Sequence, residues 1–315
     1  GPPLVWLWRQ PVLYRQVGRQ LLHNTITLAM SLLVAAGALL LFFQDHLHLQ
    51  ERWLLDGTHY QRTANHWLAR HDAHRDEVMA VLREAQRIHA VTGGAFDVTV
   101  GGLKAWHFGE GVQQMPQAEE VARQLSLVGA QDLVLDTNAG TAFLRRRGMA
   151  LDLGGIAKLP ILEAGMRVLQ EHGIDNAMVN GGGDVLVRGQ MQGRAWRVGL
   201  RDPRTPSQLL GAVSLQGSAV VASSGDYERY FLHQGQRQHH VLNPRTGWPT
   251  TGVHGVSLIA SSVTQVNGLG ASIMVMGADA GKALAQKQGG LAVLIAQSNG
   301  QVWKSPAMAR QLGAA

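Results

Sequence analysis

The stretch from Ala150 to Gly189 constrains the fold more than any other part of this 315-residue chain. ALDL reads as a short strand, Gly154-Gly155 as a tight turn, and Ile156–His172 as a helix with one apolar face. Pro160 is compatible with that helix only because it falls in the first turn, where no backbone N–H is needed. NAMV is the next strand, followed by Gly181-Gly182-Gly183-Asp184 and the strand VLVRG. Strand, glycine turn, helix and strand in this order place helix N-terminal amides beside a flexible turn, an arrangement that suits phosphate. Beyond it, WRVGL, AVSL, VVAS, GVSLIA and LAVLIA read as strands, with helices predicted over Val263–Met276 and Ala280–Gln288.

Ahead of this stretch, Val78, Val81, Leu82, Ala85 and Ile88 form an apolar stripe at helical spacing. Asp76 is its expected cap, and Gly93-Gly94 its end. Pro116 opens a second helix over QAEEVARQL, and LVLDTNAGTAFLRR reads as a hairpin turning at Thr137–Gly140. Strands and helices mix without strict βαβ alternation. The expected fold class is therefore α+β, with mixed sheets and flanking helices.

Residues Asn24–Phe43 carry no charge and, as a helix, span about 30 Å, the thickness of a hydrocarbon core. Arg9, Arg15 and Arg19 precede the run and Asp45 follows it, so the positive-inside rule leaves the amino end cytoplasmic and exports the rest. The run ends in Leu-Leu-Leu-Phe-Phe rather than a small-x-small cleavage site, which favours an uncleaved transmembrane helix over a signal peptide. A buried core helix is the other reading. The expected organisation is a cytoplasmic 1–23, an anchor at 24–43, a juxtamembrane linker at 44–75 with a short helix near Trp67, and a domain at 76–315. The expected location is the inner (plasma) membrane, single-pass, with the domain on the periplasmic side. His46 and His48 in the linker read as solvated side chains or as a metal pair on one strand face.

Composition narrows the classes. The net charge of +6 comes from scattered lysines and arginines, apart from Arg145-Arg146-Arg147, so no basic stripe points to nucleic acid. The absence of cysteine rules out disulfides, thiolate metal sites and cysteine catalysis. Glycine, at 38 residues, clusters at separated places, as it does where backbone approaches a ligand or turns tightly.

Five segments carry the chemistry: TGGAFDVTVGGL (92–103), LDLGGIAK (151–158), VNGGGDV (179–185), SSGDYERYF (223–231) and HHVLNPRTGWP (239–249). Each has a physical reading. TGGAFD sets Ala95, Phe96 and Asp97 on a glycine-loosened turn that a flat ring can approach, or simply buries Phe96 as the anchor of a turn. LDLGGIAK joins a carboxylate, a glycine turn and a lysine at a helix start, which suits phosphate and metal, or forms an Asp152–Lys158 surface ion pair. Asp184 follows three glycines where a strand resumes, and Ser224, Gly225 and Asp226 form a similar turn. His240 has the chemistry of a proton shuttle near neutral pH, or of a cap on the Asn243–Gly247 turn.

In this order and spacing the segments resemble the FAD:protein FMN transferase family, from about Val78 to Val302. The resemblance implies splitting of FAD, transfer of FMN to a threonine or serine of an exported or membrane-bound flavoprotein, and release of AMP. It implies flavin-nucleotide contacts at Ala95, Phe96, Asp97, Asp152, Lys158, Asp184, Ser224, Gly225 and Asp226, with His240 as the base. Magnesium would be held by backbone oxygens around Gly155 and Ala157 and by a late helix whose ligand positions here read Asn267 and Ala271. Those two positions depart from the family's aspartate and threonine or serine, and Ser272 lies one residue off, about 100° round a helix. Asn243 replaces an aspartate, Leu159 a glycine, and Val98 and Gly102 replace prolines. Gly57–Tyr60 faintly echoes the family's early strand, and its serine- and asparagine-containing segment has no match. The sequence therefore supports a transferase first. A catalytically degenerate flavin-binding subunit of a membrane redox complex comes second, and a structural domain last.

Overall fold

The computed structural model describes residues 73–109 and 113–314, with Arg62, Asn65 and Ala69 as isolated positions. The expected anchor at 24–43, His46 and His48, the Gly57–Tyr60 echo and the helix near Trp67 lie outside the described residues. Among the described residues no helix is long and apolar enough to cross a membrane. Residues 80–137 and 144 onward form one compact unit, which carries the large sheets and the cleft; residues 73–79 and 138–143 belong to another.

The elements run in this order. Helix α1 (Arg75–Val91) precedes a 3-10 turn at Val98–Gly102, α2 (Ala118–Leu125), and strands β1 (Leu133–Asp136) and β2 (Thr141–Leu144). Then come α3 (Lys158–Glu171), β3 (Ala177–Gly181), β4 (Asp184–Arg188), β5 (Trp196–Arg201), β6 (Leu209–Leu215) and β7 (Ala219–Gly225). The chain continues with β8 (Tyr230–His233), β9 (Gln236–His239), β10 (Val253–Ala260), α4 (Leu269–Met276) and α5 (Ala278–Lys287). It closes with β11 (Ala292–Gln297), β12 (Val302–Lys304), α6 (Pro306–Gln311) and β13 (Leu312–Gly313).

A six-stranded sheet in the order β12-β11-β10-β7-β4-β3 is the backbone of the fold, and β13-β6-β5 forms a second sheet. The α+β class with several sheets and flanking helices is as expected. The strand pairs of both sheets are antiparallel, however, rather than mixed. Neighbouring strands are joined by turns or by longer excursions, such as the α4–α5 pair between β10 and β11, that return the chain antiparallel. The sheets meet over Val185, Val187, Val221, Ile259 and Leu294 on one side and Val198, Leu200, Val213 and Leu215 on the other, with Met308 of α6 beside them. The alternate residues of the large sheet face helices. A Cβ added at Gly281 of α5 would stand 3.3 Å from Ile295, and one at Gly270 of α4 would stand 3.8 Å from Leu258. Because both faces are covered, β10 is buried almost along its whole length, the pattern of a central strand. β5 shows the opposite, a clean alternation that buries Val198 and Leu200 and exposes Arg197, Gly199 and Arg201.

In α1, Leu82, Ala85 and Ile88 are buried and Val78 and Val81 half-buried, as the stripe predicts. The helix begins at Arg75, so Asp76 sits in its first turn, where a carboxylate favours the positive end of the helix dipole, and is not the cap. It ends as expected at Gly93 and Gly94, both with positive φ (58° and 83°).

Two expected elements are absent as such. ALDL is not a strand: the Asp152 N–H donates to the Val98 carbonyl and the Asp152 carboxylate accepts from the Gly154 N–H, so these groups serve a turn and not a ladder. Leu151 runs so close to Gly101 that a Cβ there would meet backbone at 2.6 Å. The helix over Val263–Met276 is broken in two. A 3-10 turn at Val263–Gln265, closed by a Ser262–Gln265 capping box, stops before Gly268, whose φ of 72° is left-handed, and α4 starts at Leu269.

Leu258 is fully buried at the centre of the large sheet. Leu258→Ala is expected to lower the unfolding free energy by about 2–5 kcal/mol, seen as a reduced urea midpoint with an unchanged slope.

Candidate active site

Three turns and one strand edge enclose a cleft of about 750 Å³, within the range of small-molecule sites. The first turn joins β3 to β4. Gly181 pairs with Asp184, so Gly182 and Gly183 form a two-residue loop, and their φ values of 62° and 90° suit a type I′ turn. That turn sets Asp184 at the start of β4, where its carboxylate accepts from the Ser223 N–H at 2.8 Å and pairs with Lys158 Nζ at 2.8 Å. Lys158 opens α3, so a cation stands beside the first amides of a 14-residue helix. The Asp152–Lys158 ion pair expected as one reading is not formed: Lys158 pairs across to Asp184, and the Asp152 carboxylate accepts from the Gly154 amide.

The second turn is Leu153–Ala157, against which Phe96 packs. A Cβ at Gly155 would meet the Phe96 ring at 3.2 Å, so Gly155 permits the contact. Phe96 is thus both a buried anchor and part of the cleft wall, beside Ala95. Asp97 also borders the cleft, with its carboxylate engaged by the N–H groups of Thr99 (2.8 Å) and Ala130 (2.9 Å). The third turn brings Asn267, Gly268 and Ala271 to the cleft, opposite Ser224 and Gly225 at the end of β7.

His240 stands half-buried on the remaining wall. Its Nδ1 lies 3.3 Å from the Arg229 carbonyl, an oxygen that only accepts, so Nδ1 carries the proton and Nε2 is the basic nitrogen. Burial, and then the nearby Arg229 guanidinium, push its pKa down to about 4; the bond to the Arg229 carbonyl and the Asp152 carboxylate oppose this only in part. The neighbouring His239 is fully buried with Nε2 on the Thr250 carbonyl at 2.9 Å, a structural role. His240 does not cap the Asn243–Gly247 turn. Asn243 closes that turn itself, through Arg245 N–H to its Oδ1 and Gly247 N–H to its carbonyl, while Trp106 Nε1 donates to the Gly247 carbonyl.

Two expected residues stay away from the cleft. Asp226 is buried in an ion cluster with Arg237 (2.7 Å) and His254 (2.6 Å), and Ala157 does not line the cavity. Sequence reasoning missed Arg197 and Arg201, which face the cleft from β5, and Tyr227 and Arg229, which follow β7. Arg201 stacks over Tyr227 at 5.8 Å, and burial raises the Tyr227 pKa. The signal was present in WRVGLR: residues at i, i+2 and i+4 of a strand share a face.

The sequence and fold that build this cleft resemble those of known proteins. The ApbE family model matches residues 58–295. This chain belongs to the ApbE family. It is 35% identical over 188 residues to a FAD:protein FMN transferase of Klebsiella pneumoniae, covering 59% of this chain and 58% of that protein. A FAD:protein FMN transferase of Vibrio cholerae is 32% identical over 215 residues, covering 67% of this chain and 64% of that one. The chain thus spans less than two thirds of the length of these two relatives. Among solved structures, the ApbE protein of Thermotoga maritima superposes with a TM-score of 0.69 at 32% identity, covering 75% of this chain and 78% of that one.

The family resemblance implies magnesium, and the residues at its expected place do not fit a resident ion. Magnesium demands near-octahedral oxygen ligands and usually one or two carboxylates. Among the described residues no group of three histidine, aspartate or glutamate side chains stands together to hold a metal. Asn267 turns its amide N–H to the Ile156 carbonyl at 2.9 Å, Ala271 has no ligand atom, and Ser272 Oγ donates back to the Gly268 carbonyl at 2.7 Å.

The pKa of His240 predicts a pH effect. An unfolded histidine titrates near 6.5, and the folded one near 4. Between these values the unfolded chain binds a proton that the folded chain does not, so stability falls as pH drops from 6.5 towards 4 and is unaffected by His240 above 6.5. His239, also shifted down by burial, acts in the same direction. His240→Gln is expected to make this acid-side slope shallower while leaving stability at pH 8 nearly unchanged, as read from urea midpoints across the range.

Proposed function

We propose that this chain is a FAD:protein FMN transferase acting on an exported or membrane-bound flavoprotein. The observation that carries the reading is His240: a histidine neutral at physiological pH, fixed as the Nδ1–H tautomer by the Arg229 carbonyl, on the same cleft as Lys158 and the α3 N-terminus. In this reading Ala95 and Phe96 lie along the flavin. Lys158 and the amides at the start of α3 receive the pyrophosphate, with Arg197 and Arg201 adding positive charge from the β5 face.

The chemistry follows from these placements. Nε2 of His240 takes the proton of the acceptor threonine or serine hydroxyl, whose oxygen forms a bond to the FMN-side phosphorus. The bond from that phosphorus to the bridging oxygen breaks, and AMP leaves with the electron pair on its phosphate. The Asp152 carboxylate, whose charge favours protonated His240, stabilises the imidazolium so formed. Asp184 holds Lys158 in place. No side chain is assigned to magnesium in this reading. We also place residues 24–43 as a single-pass inner-membrane anchor with the domain on the periplasmic side, on the strength of the uncharged run and its flanking arginines. A flavin-binding subunit without transfer chemistry is the weaker reading, because it leaves the tautomer-fixed base at the cleft without a task.

The test mixes the protein with FAD and a threonine-bearing target domain and follows covalent FMN by mass and in-gel fluorescence. His240→Ala is expected to slow transfer by about 10²–10⁴-fold while FAD binding stays within a few fold of the parent. Transfer at an undiminished rate in that variant would remove His240 from the mechanism.

A further inference from the structure

We propose that Asn267 is a positioning residue that replaces a cation: its amide joins two turns of the cleft directly, so the polypeptide carries no divalent ion of its own there. Asn267 is 2% exposed and immediately precedes left-handed Gly268 at the start of α4. Its Nδ2 donates to the Ile156 carbonyl at 2.9 Å, bridging two segments 111 residues apart in sequence. The Ile156 oxygen offers only lone pairs. Something positive must therefore face it across that gap, either a hydrogen on the side chain or a metal ion between two oxygens. Asparagine supplies the hydrogen. A carboxylate at this position would set acceptor against acceptor, a buried repulsion that a bridging cation relieves while the carboxylate stays ionised.

Among the described residues, the surroundings supply no alternative ligand set. One helical turn on, Ala271 has no donor atom, and Ser272 Oγ, fully buried, is committed to the Gly268 carbonyl. Of the carboxylates near the cleft, Asp184 is held by Lys158 and the Ser223 amide, Asp97 by the Thr99 and Ala130 amides, and Glu228 by Arg201, while Asp226 is held away from it by Arg237 and His254. Asp152 accepts from the Gly154 amide. Gly268 packs closely: a Cβ there would stand 3.1 Å from Ile88, 3.3 Å from Ile156 and 3.5 Å from Phe96, so the turn is held against the same residues that carry the carbonyl. Any divalent cation in the reaction then travels with the pyrophosphate of the nucleotide and is not resident in the protein. This goes beyond the proposed transfer reaction and does not depend on it.

The experiment uses the full chain in detergent without nucleotide, and reads melting temperature by tryptophan fluorescence. Millimolar magnesium chloride is compared with sodium chloride of equal ionic strength and with EDTA. The parent protein is expected to melt at the same temperature in all three. Asn267→Asp is expected to melt about 3–8 °C lower in EDTA, and to recover most of that loss in magnesium. Asn267→Ala, which removes the donor without adding an acceptor, is expected to melt lower in every condition. A magnesium-specific rise in the melting temperature of the parent overturns the proposal, as does an Asn267→Asp protein as stable in EDTA as the parent. Because the readout is melting of nucleotide-free protein, either failure leaves the transfer assay with His240→Ala untouched.

Discussion

The cleft depends on one knot in which Phe96, Ile156 and Asn267 meet. The Phe96 ring lies against Gly155 and Gly268, Ile156 is fully buried beside it, and the Asn267 amide closes the polar gap to the Ile156 carbonyl. Three segments distant in sequence are held at contact distance because two of them offer glycines where a side chain would intrude. A buried carbonyl without a donor would cost about 1–3 kcal/mol, so the amide does more than fill space. α3, which presents Lys158, and α4, which packs on β7 and β10, both start beside this knot.

A second constraint is electrostatic. The β8–β9 hairpin, which ends beside His240, is tied to the large sheet by Arg237, whose guanidinium reaches buried Asp226 and the Pro203 carbonyl. His254 on β10 adds to the same carboxylate, and Arg237 also covers the Tyr230 ring at 5.0 Å. Breaking such a buried pair leaves a charge uncompensated, which is why these ties hold geometry more firmly than an exposed pair would. Asp226, which the sequence motif suggests as a ligand contact, works instead as the far anchor of the wall on which His240 stands. The aromatic group of Trp106, Phe108, Phe231 and Trp248 braces the same wall from below.

Periodic and glycine-marked features were legible in the sequence. The α1 stripe, the strand β5 with its alternation, and the β3–β4 hairpin all follow from local spacing and from the left-handed backbone that glycine alone adopts freely. Most of the candidate site residues were legible too, from Ala95 and Phe96 through Asp152, Lys158 and Asp184 to His240, because they sit within or beside such turns. Less legible were features that depend on distant partners. ALDL looked like a strand because its apolar alternation is that of one, yet its Asp152 N–H goes to Val98. The 263–276 segment reads as one helix because Gly268 costs a helix only about 1 kcal/mol; in the fold Gly268 is left-handed and lies against Ile88 and Ile156.

The sequence by itself determined the α+β class, the glycine turns, and the family to which their order belongs, since each rests on interactions between near neighbours along the chain. Only the tertiary structure decided which charges pair and which face the cleft. Lys158 pairs with Asp184 and not Asp152, Asp226 is withdrawn into an ion cluster, and Arg197 and Arg201 enter the cleft from a strand edge. It also decided that the Asn267 amide faces the Ile156 carbonyl. The reason is the same in each case: a polar group takes the partner that three-dimensional packing brings within hydrogen-bonding distance, and sequence spacing does not encode distances between remote segments.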